Sequence, residues 1–493
     1  MIFLKITNFL IIINFLENNG FLISLAKNIY NFNFLLIIME SKNLLLLICT
    51  VLSFFTVFAV NAVTIVIPSI AAEYGMSNIM QNWVTIIFLL VVAVLSVPAG
   101  QISAKYGLKK VTRICIILFI IISIINVCVT TQEQFLACRL VLGISLAFIN
   151  VTSMAMIVSA FPANERGKAL GINITGVYIG LSLSPVIGGI LDHNLGWRSV
   201  VLFGVPFLFV ILFLLSTKIK EEWTSFENVP LDVKGSITYG IGMVLFMYGF
   251  TILNTGLGIF LTLLAIVILA IFALIELREK HPVFDIRFFK NKEFLSANFA
   301  SLCAYLATYA VTTILNYHLQ YIKGLDSQTA GIILLVAPLC QVVLAPIAGR
   351  LSDKFVPQIL AALGMALGTI SLFLFSFLNG DTSMNFLIVS MIIYGIGFGL
   401  FSPPNTNVIM SSVPPKDTSV ASAAVATMRT IGQAMSMGIL TLVFAFIMGD
   451  VAIIEPYYPL LVQSCQLTCM ICIILCILSV FASFVGIKSN STQ

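Results

Sequence analysis

Long apolar runs, following one another with only short polar breaks, fill this chain and decide its class before any motif is read. A helix needs about 20 mainly apolar residues to cross the hydrocarbon layer, because each backbone N–H and C=O must find its partner within the segment. Fourteen stretches have that character: 44–70, 84–104, 112–130, 135–158, 169–191, 199–216, 234–253, 258–276, 296–318, 328–349, 357–378, 384–408, 418–447 and 462–487. With 60% hydrophobic and only 9% charged residues among 493, the chain carries more apolar surface than one water-soluble core encloses. The expected fold is an all-α integral membrane protein with 14 transmembrane helices, and no soluble domain fits between them.

Charge placement follows the same alternation. Lys42, Lys105, Lys109, Lys110, Arg113, Arg166, Lys168, Lys218, Lys220, Lys234, Arg278, Lys280, Arg287, Lys290, Lys292, Arg350, Lys354, Lys416 and Lys488 fall on one side of a fourteen-span layout. Opposite them only Arg198 and Lys323 accompany Glu73, Glu133, Asp192, Asp326, Asp381, Asp450 and Glu455. Basic loops stay cytoplasmic. Both termini are therefore expected in the cytoplasm and the protein in the cytoplasmic membrane, as a multi-pass chain. The net charge of +5 is mostly this bias, and no basic patch with interleaved aromatics suggests a nucleic-acid partner. Trp83 and Trp197, at the starts of two spans, suit an interfacial belt.

Residues 1–38 stand apart as an atypical extension rich in Ile, Asn, Phe and Leu; either Met39 is the true start or the segment is a real extra hydrophobic stretch. The ten cysteines show no disulfide framework. Cys465, Cys469, Cys472 and Cys476 share one helical face, which reads either as a metal or redox stripe or, favoured, as small side chains on a packing or lipid-facing surface. No metal and no cofactor is expected.

A short basic phrase occurs twice. GQISAKYGLKK begins at Gly100 and GRLSDKFVP at Gly349, each in a short loop after an even-numbered span. At almost the same offset, FPANERGKA (161–169) before the fifth span is echoed by VPPKDTSVA (413–421) before the thirteenth. The chain is read as duplicated: a six-helix bundle at 39–216, a linker and two-helix insert at 217–295, a second six-helix bundle at 296–488 and a tail at 489–493. Two pseudo-symmetric bundles of this kind are how alternating-access carriers are built, with the substrate between them near mid-membrane.

At this point the chain resembles the major facilitator superfamily, in particular its fourteen-span drug:proton antiporter branch, over residues 40–488. Lys105, Gly107 and Lys109 fit the family loop signature G-x-L-A-D-R-x-G-R-K counted from Gly100, and Arg139 with Gly143 fits R-x-x-x-G on the fourth span. GLSLSPVIGG, containing Gly180, Pro185, Gly188 and Gly189, is similar to the antiporter signature of the fifth span. Gly196-Trp197-Arg198, the run from Pro282 through Asp285 to Arg287, and Leu319-Gln320-Tyr321 also look like this branch. The resemblance implies a secondary transporter that exports hydrophobic or cationic small molecules, a multidrug-efflux-like antiporter. Its alternatives are an uptake, facilitative or dedicated metabolite carrier of the same fold, and, from another class, a non-transporting membrane sensor or scaffold.

Departures accompany the matches. Ala59 stands where the family's first span carries a carboxylate implicated in proton coupling, Ala104 and Leu108 replace Asp and Arg in the loop signature, and Ser184 replaces a glycine, whereas the second loop copy keeps Asp353. None of the twenty acidic residues lies well inside a span.

Candidate residues follow from cost and placement. An arginine within a span costs about 2.5–3.5 kcal/mol and should face a cavity or a partner; Arg139 meets that description, and Arg429 sits nearer a span end. Asn61, Thr64, Asn150, Asn316, Tyr317, Gln320, Gln341, Asn405, Asn407 and Gln433 could line a central cavity or bond helix to helix. Gly100, Lys105, Gly107, Lys109, Gly180, Pro185, Gly188, Gly189, Gly349, Asp353 and Lys354 are candidates for conformational gating, with plain small-residue packing and topology as the competing roles. His318 is the one histidine near the expected cavity and thus a proton-coupling candidate. No zinc-type His spacing, phosphate loop or paired intramembrane acid suggests an enzyme. The expected partners are a small-molecule substrate, protons or another coupling ion, and the lipid bilayer, with the protein a monomer.

Overall fold

The computed structural model describes residues 41–224, 232–279, 286–352, 354–414 and 418–485. The extension at 1–38, the tail at 489–493, Asp353 and the run from Pro282 to Asp285 lie outside the described residues.

Helices account for nearly all of it. The first set comprises α1 (Ser41–Tyr74), α2 (Asn78–Tyr106), α3 (Leu108–Cys128), α4 (Gln132–Ala160), α5 (Ala163–Leu195), α6 (Trp197–Leu202) and α7 (Val205–Thr217). Then come α8 (Val233–Thr251) and α9 (Gly256–Arg278). The second set comprises α10 (Lys292–Tyr317), α11 (Ser327–Leu334), α12 (Val336–Ser352), α13 (Pro357–Phe375), α14 (Met384–Ser411), α15 (Thr418–Ile447) and α16 (Tyr458–Val485). The continuous apolar runs leave the chain no other way to satisfy its backbone, so propensity matters less here than the ends do. Small polar residues cap those ends. Ser77 accepts from the Met80 N–H, Thr131 from Gln134, Asp232 from Gly235, Thr255 from Gly258, Asp326 from Thr329 and Ser383 from Phe386. Gly107 and Gly196 each separate two helices by a single residue, at φ +102° and +80°. Only glycine takes that backbone region without cost, which makes the corners α2–α3 and α5–α6 possible.

Thirteen helical stretches among the described residues are long and apolar enough to cross a membrane, with α6–α7 and α11–α12 each serving as one. The expected count of 14 is not reached. The seventh run does form a helix, α8, but its sequence, VKGSITYGIGMVLFMYGFT, is diluted by glycine, tyrosine and threonine. Its neighbour α9 lies at the periphery, with 17% of its apolar window buried, whereas α10 is central at 72%.

Helix pairing repeats between the two sets. In the first, α1 packs on α5, α2 on α4 and α3 on α4; in the second, α10 packs on α15, α12 on α14 and α13 on α14. Glycines set several of these contacts. An added Cβ at Gly176 or Gly180 would sit within 3 Å of the Thr50 or Phe54 backbone, and one at Gly188 would meet Ala62, so these three glycines serve the α1–α5 pairing inside the first bundle.

One expectation about surfaces is corrected and a second is narrowed to helix packing. Trp197 is 4% exposed rather than part of a lipid-facing belt, because its ring packs between Phe135 and Tyr74 and its Nε1 donates to Glu73 at 2.8 Å. Cys465, Cys469, Cys472 and Cys476 are all buried, so their face of α16 meets neighbouring helices and not lipid.

A candidate substrate passage between the two bundles

The seam between the bundles is closed at one end by a band of hydrogen bonds. Asn316 Nδ2 donates to the Thr64 carbonyl at 2.9 Å, and Gln320 Nε2 donates both to the Ile65 carbonyl at 2.8 Å and to Asn316 Oδ1 at 2.7 Å. The Thr64 carbonyl is available because Pro68, four residues on, has no N–H to donate to it. Tyr317 donates to Asn82 at 3.1 Å and Tyr321 to Gln81 at 3.0 Å. Asn78 closes the band, donating from its backbone to Val451 and from its side chain to Gly449. On the opposite flank backbone meets backbone: Gly331 lies against the Pro185 carbonyl and Gly189 against the Ser327 carbonyl, so that a side chain at either glycine would collide with the other bundle. His193 approaches Asp326 at 3.8 Å beside them. Asp326, in the loop before α11, is held below the usual carboxylate range by the Thr329 N–H it accepts from.

Farther along the seam the lining changes from amides to aromatic rings. Tyr178, halfway along α5, meets the Ser402 hydroxyl of α14, with Tyr305 of α10 and Arg429 of α15 in electrostatic range. Phe398 stacks edge-on against Tyr305 at 5.3 Å, and Gly432 leaves room for the Tyr305 side chain. Between this cluster and the closed end, Tyr309 of α10 comes within electrostatic range of Arg139 of α4. Arg139 itself stays inside the first bundle, donating to the carbonyls of Val84 and Ala59 at 3.3 and 3.2 Å and covering the Phe88 ring at 4.7 Å.

The expected cavity residues thus divide. Thr64, Asn316, Tyr317 and Gln320 come together at the closed end, where His318 is also buried at 4% exposure. Arg429 joins the aromatic cluster, and Arg139 stands beside it. The others bond within their own bundle: Asn405 to Ala297 and Ser301, Asn407 to Ser352, and Asn61 to Val57 of its own helix. Gln341 is buried at the α12–α14 contact, where Gly399 touches its backbone. Asn150 and Gln433 are half-buried on α4 and α15. Sequence reading missed Tyr178, Tyr305 and Tyr309, since tyrosines inside an apolar run raise no flag, and it missed Asn82 and Gln81 near the start of the second span.

The loop motif is held by the chain that follows α7. Glu222 accepts from the backbone N–H groups of Lys109 and Lys110 at 2.8 and 3.1 Å, the Trp223 carbonyl accepts from Leu108 N–H, and Lys109 Nζ donates to the Ile219 carbonyl at 2.6 Å. Lys105 is half-buried at the last turn of α2, Gly100 faces Val151 of α4, Gly349 reaches only the edge of Pro403, and Lys354 is exposed.

Known proteins share this architecture. Residues 46–437 match the family model of the Major Facilitator Superfamily. The riboflavin transporter RibZ of Clostridioides difficile is 29% identical over 83% of this chain and 89% of its own. The multidrug resistance protein Stp and the drug efflux pump JefA of Mycobacterium tuberculosis are 25% and 26% identical, over 85% and 83% of this chain and 79% and 82% of theirs. Among solved structures, a bacterial homologue of the human lysosomal transporter Spinster in its inward-facing, unoccupied conformation superimposes with a TM-score of 0.64 at 17% identity, covering 92% of this chain and 100% of the other. The peptide transporter POT gives 0.67 at 15% identity, over 90% and 94%. The chain belongs to the Major Facilitator Superfamily and is a multi-pass membrane transporter of that family.

Proposed function

We propose that the protein carries a small aromatic solute, neutral or anionic, across the cytoplasmic membrane by rocking α1–α7 against α10–α16. The mid-seam cluster carries the substrate class. Three tyrosines, Tyr178, Tyr305 and Tyr309, gather there with Arg429 and Arg139, while every described Asp and Glu lies at or near a helix end or in a loop. Aromatic faces stack flat rings, and Arg429 in a low-dielectric passage repels a cation. Riboflavin, named for the relative RibZ, is an uncharged molecule with a flat ring system of this kind. With the Lys/Arg-rich loops cytoplasmic, the closed end faces outward.

Export of multiple drugs is the second reading, favoured by the names of Stp and JefA. The cationic cargo expected from sequence fits less well, because among the described residues no acid stands in the passage to attract it. Counter-flow in proteoliposomes separates the readings, with riboflavin, an anionic fluorescein-type dye and ethidium offered in turn, with and without a pH gradient. Riboflavin or the anionic dye should exchange and Tyr305→Ala should slow that exchange. Movement of ethidium alone would replace this reading with drug export, and gradient-independent exchange would remove the antiporter.

A further inference from the structure

We propose that the cavity beside Arg139 binds a small inorganic anion, with chloride the fitting size, as counter-ion to this buried guanidinium. Arg139 is 2% exposed, and among the described residues it makes no ion pair. Its Nε and Nη1 are spent on two carbonyls and its face on Phe88, but Nη2 has no hydrogen-bond partner. A small, partly open space of about 20 Å³ lies against it, between α1, α3, α4 and α6–α7. That space admits one water or one monatomic ion.

A second unpartnered donor belongs to the same wall. Ser123 of α3 lines the cavity, is fully buried, and its hydroxyl likewise has no partner. The remaining wall is apolar, including Phe58, Ala62, Leu142 and Val200, and holds no carboxylate. The nearest titratable group across the seam is the phenol of Tyr309. A water could satisfy the two donors but would leave the positive charge uncompensated in a medium that screens it poorly. A halide accepts from both donors and cancels the charge. A carboxylate- or phosphate-bearing solute is too large for the space. The residues lining the site all belong to the first bundle, so it does not depend on the cargo proposed for the seam.

The test uses the full purified chain in detergent, with thermal unfolding followed at constant ionic strength as sodium gluconate is replaced by sodium chloride. Chloride should raise the midpoint along a saturating curve, as a ligand of the folded state does. Ala59 lines the cavity and its carbonyl touches Arg139, so Ala59→Asp places a carboxylate where the ion would sit and should abolish the chloride effect. Ser123→Ala keeps the space but removes one donor, and should raise the chloride concentration giving half the effect several-fold; this arm decides the matter should Ala59→Asp fail to fold. Equal midpoints in chloride and gluconate would mean that water alone fills the cavity and overturn the proposal. So would an unaltered half-effect concentration in Ser123→Ala, which would place the chloride elsewhere.

Discussion

Glu222 caps α3 from 113 residues away in sequence: its carboxylate accepts from the N–H of Lys109 at 2.8 Å and from that of Lys110 at 3.1 Å. A negative group at a helix N-terminus satisfies donors that the helix cannot and complements its dipole. The basic loop phrase is thereby tied to the chain leaving α7, not to the opposite bundle. Glu222→Ala is expected to destabilise the protein by about 1 kcal/mol, as loss of a helix cap does, with Glu222→Gln milder. Thermal unfolding in detergent at low salt reads both. An unchanged midpoint for Glu222→Ala would show that the cap is replaced by water without cost.

Gly331 and the Pro185 carbonyl approach too closely for a side chain. Gly331→Val should therefore wedge the closed end apart, slow counter-flow at least tenfold and leave expression intact. The matching change at an exposed glycine with open space around it, Gly380→Val, should do neither. Equal transport by both variants would remove the seam contact from the mechanism.

Asn316 and Gln320 bind the carbonyls of Thr64 and Ile65 beside the proline turn of α1. Asn316→Ala removes a buried bond worth about 1 kcal/mol, or roughly a fivefold shift between closed and open forms. Hydrogen–deuterium exchange should rise in residues 62–74 and in the facing end of α2, while the α13–α16 contact stays protected. Uniform exchange over the whole chain would indicate global loosening instead.

Thiol labelling tests the inward orientation of the α16 stripe. Of the ten cysteines Cys128 is exposed, Cys340 is intermediate and the other eight, including Cys465, Cys469, Cys472 and Cys476, are buried. A short maleimide pulse on the folded protein should give one main adduct, at Cys128, with Cys340 slower. Early adducts on α16 would return that face to the lipid side.

The same sites show where sequence reading succeeds and where it stops. Apolar run length located nearly every helix, because a bilayer leaves the backbone one solution. The run over α8 does form a helix, but its glycines, tyrosines and threonines leave it short of the apolar length that thirteen other stretches reach among the described residues. Small residues at 176, 180, 188 and 189 were legible as a contact surface, but only coordinates divide them between α1 and the far bundle. Arg139 was legible as costly and therefore placed; that it bonds carbonyls of its own bundle was not, since carbonyls leave no trace in a sequence. The Glu222 cap was invisible for a related reason, as no periodicity links a loop glutamate to a helix start so distant.

The position of α8 has a consequence for motion. It touches α2 through Tyr239 and the Ala93 carbonyl, and α15 through Phe250 and Gly438, so one short helix spans the junction on that flank alone. On the far flank, α5 and α11 meet directly, with Gly189 and Gly331 against each other's backbone and the Ser327 hydroxyl donating to the Gly189 carbonyl. The proposed separation of the bundles is therefore expected to be lopsided, like a book opening from its spine, with the wider mouth at α5 and α11 and little displacement beside α8.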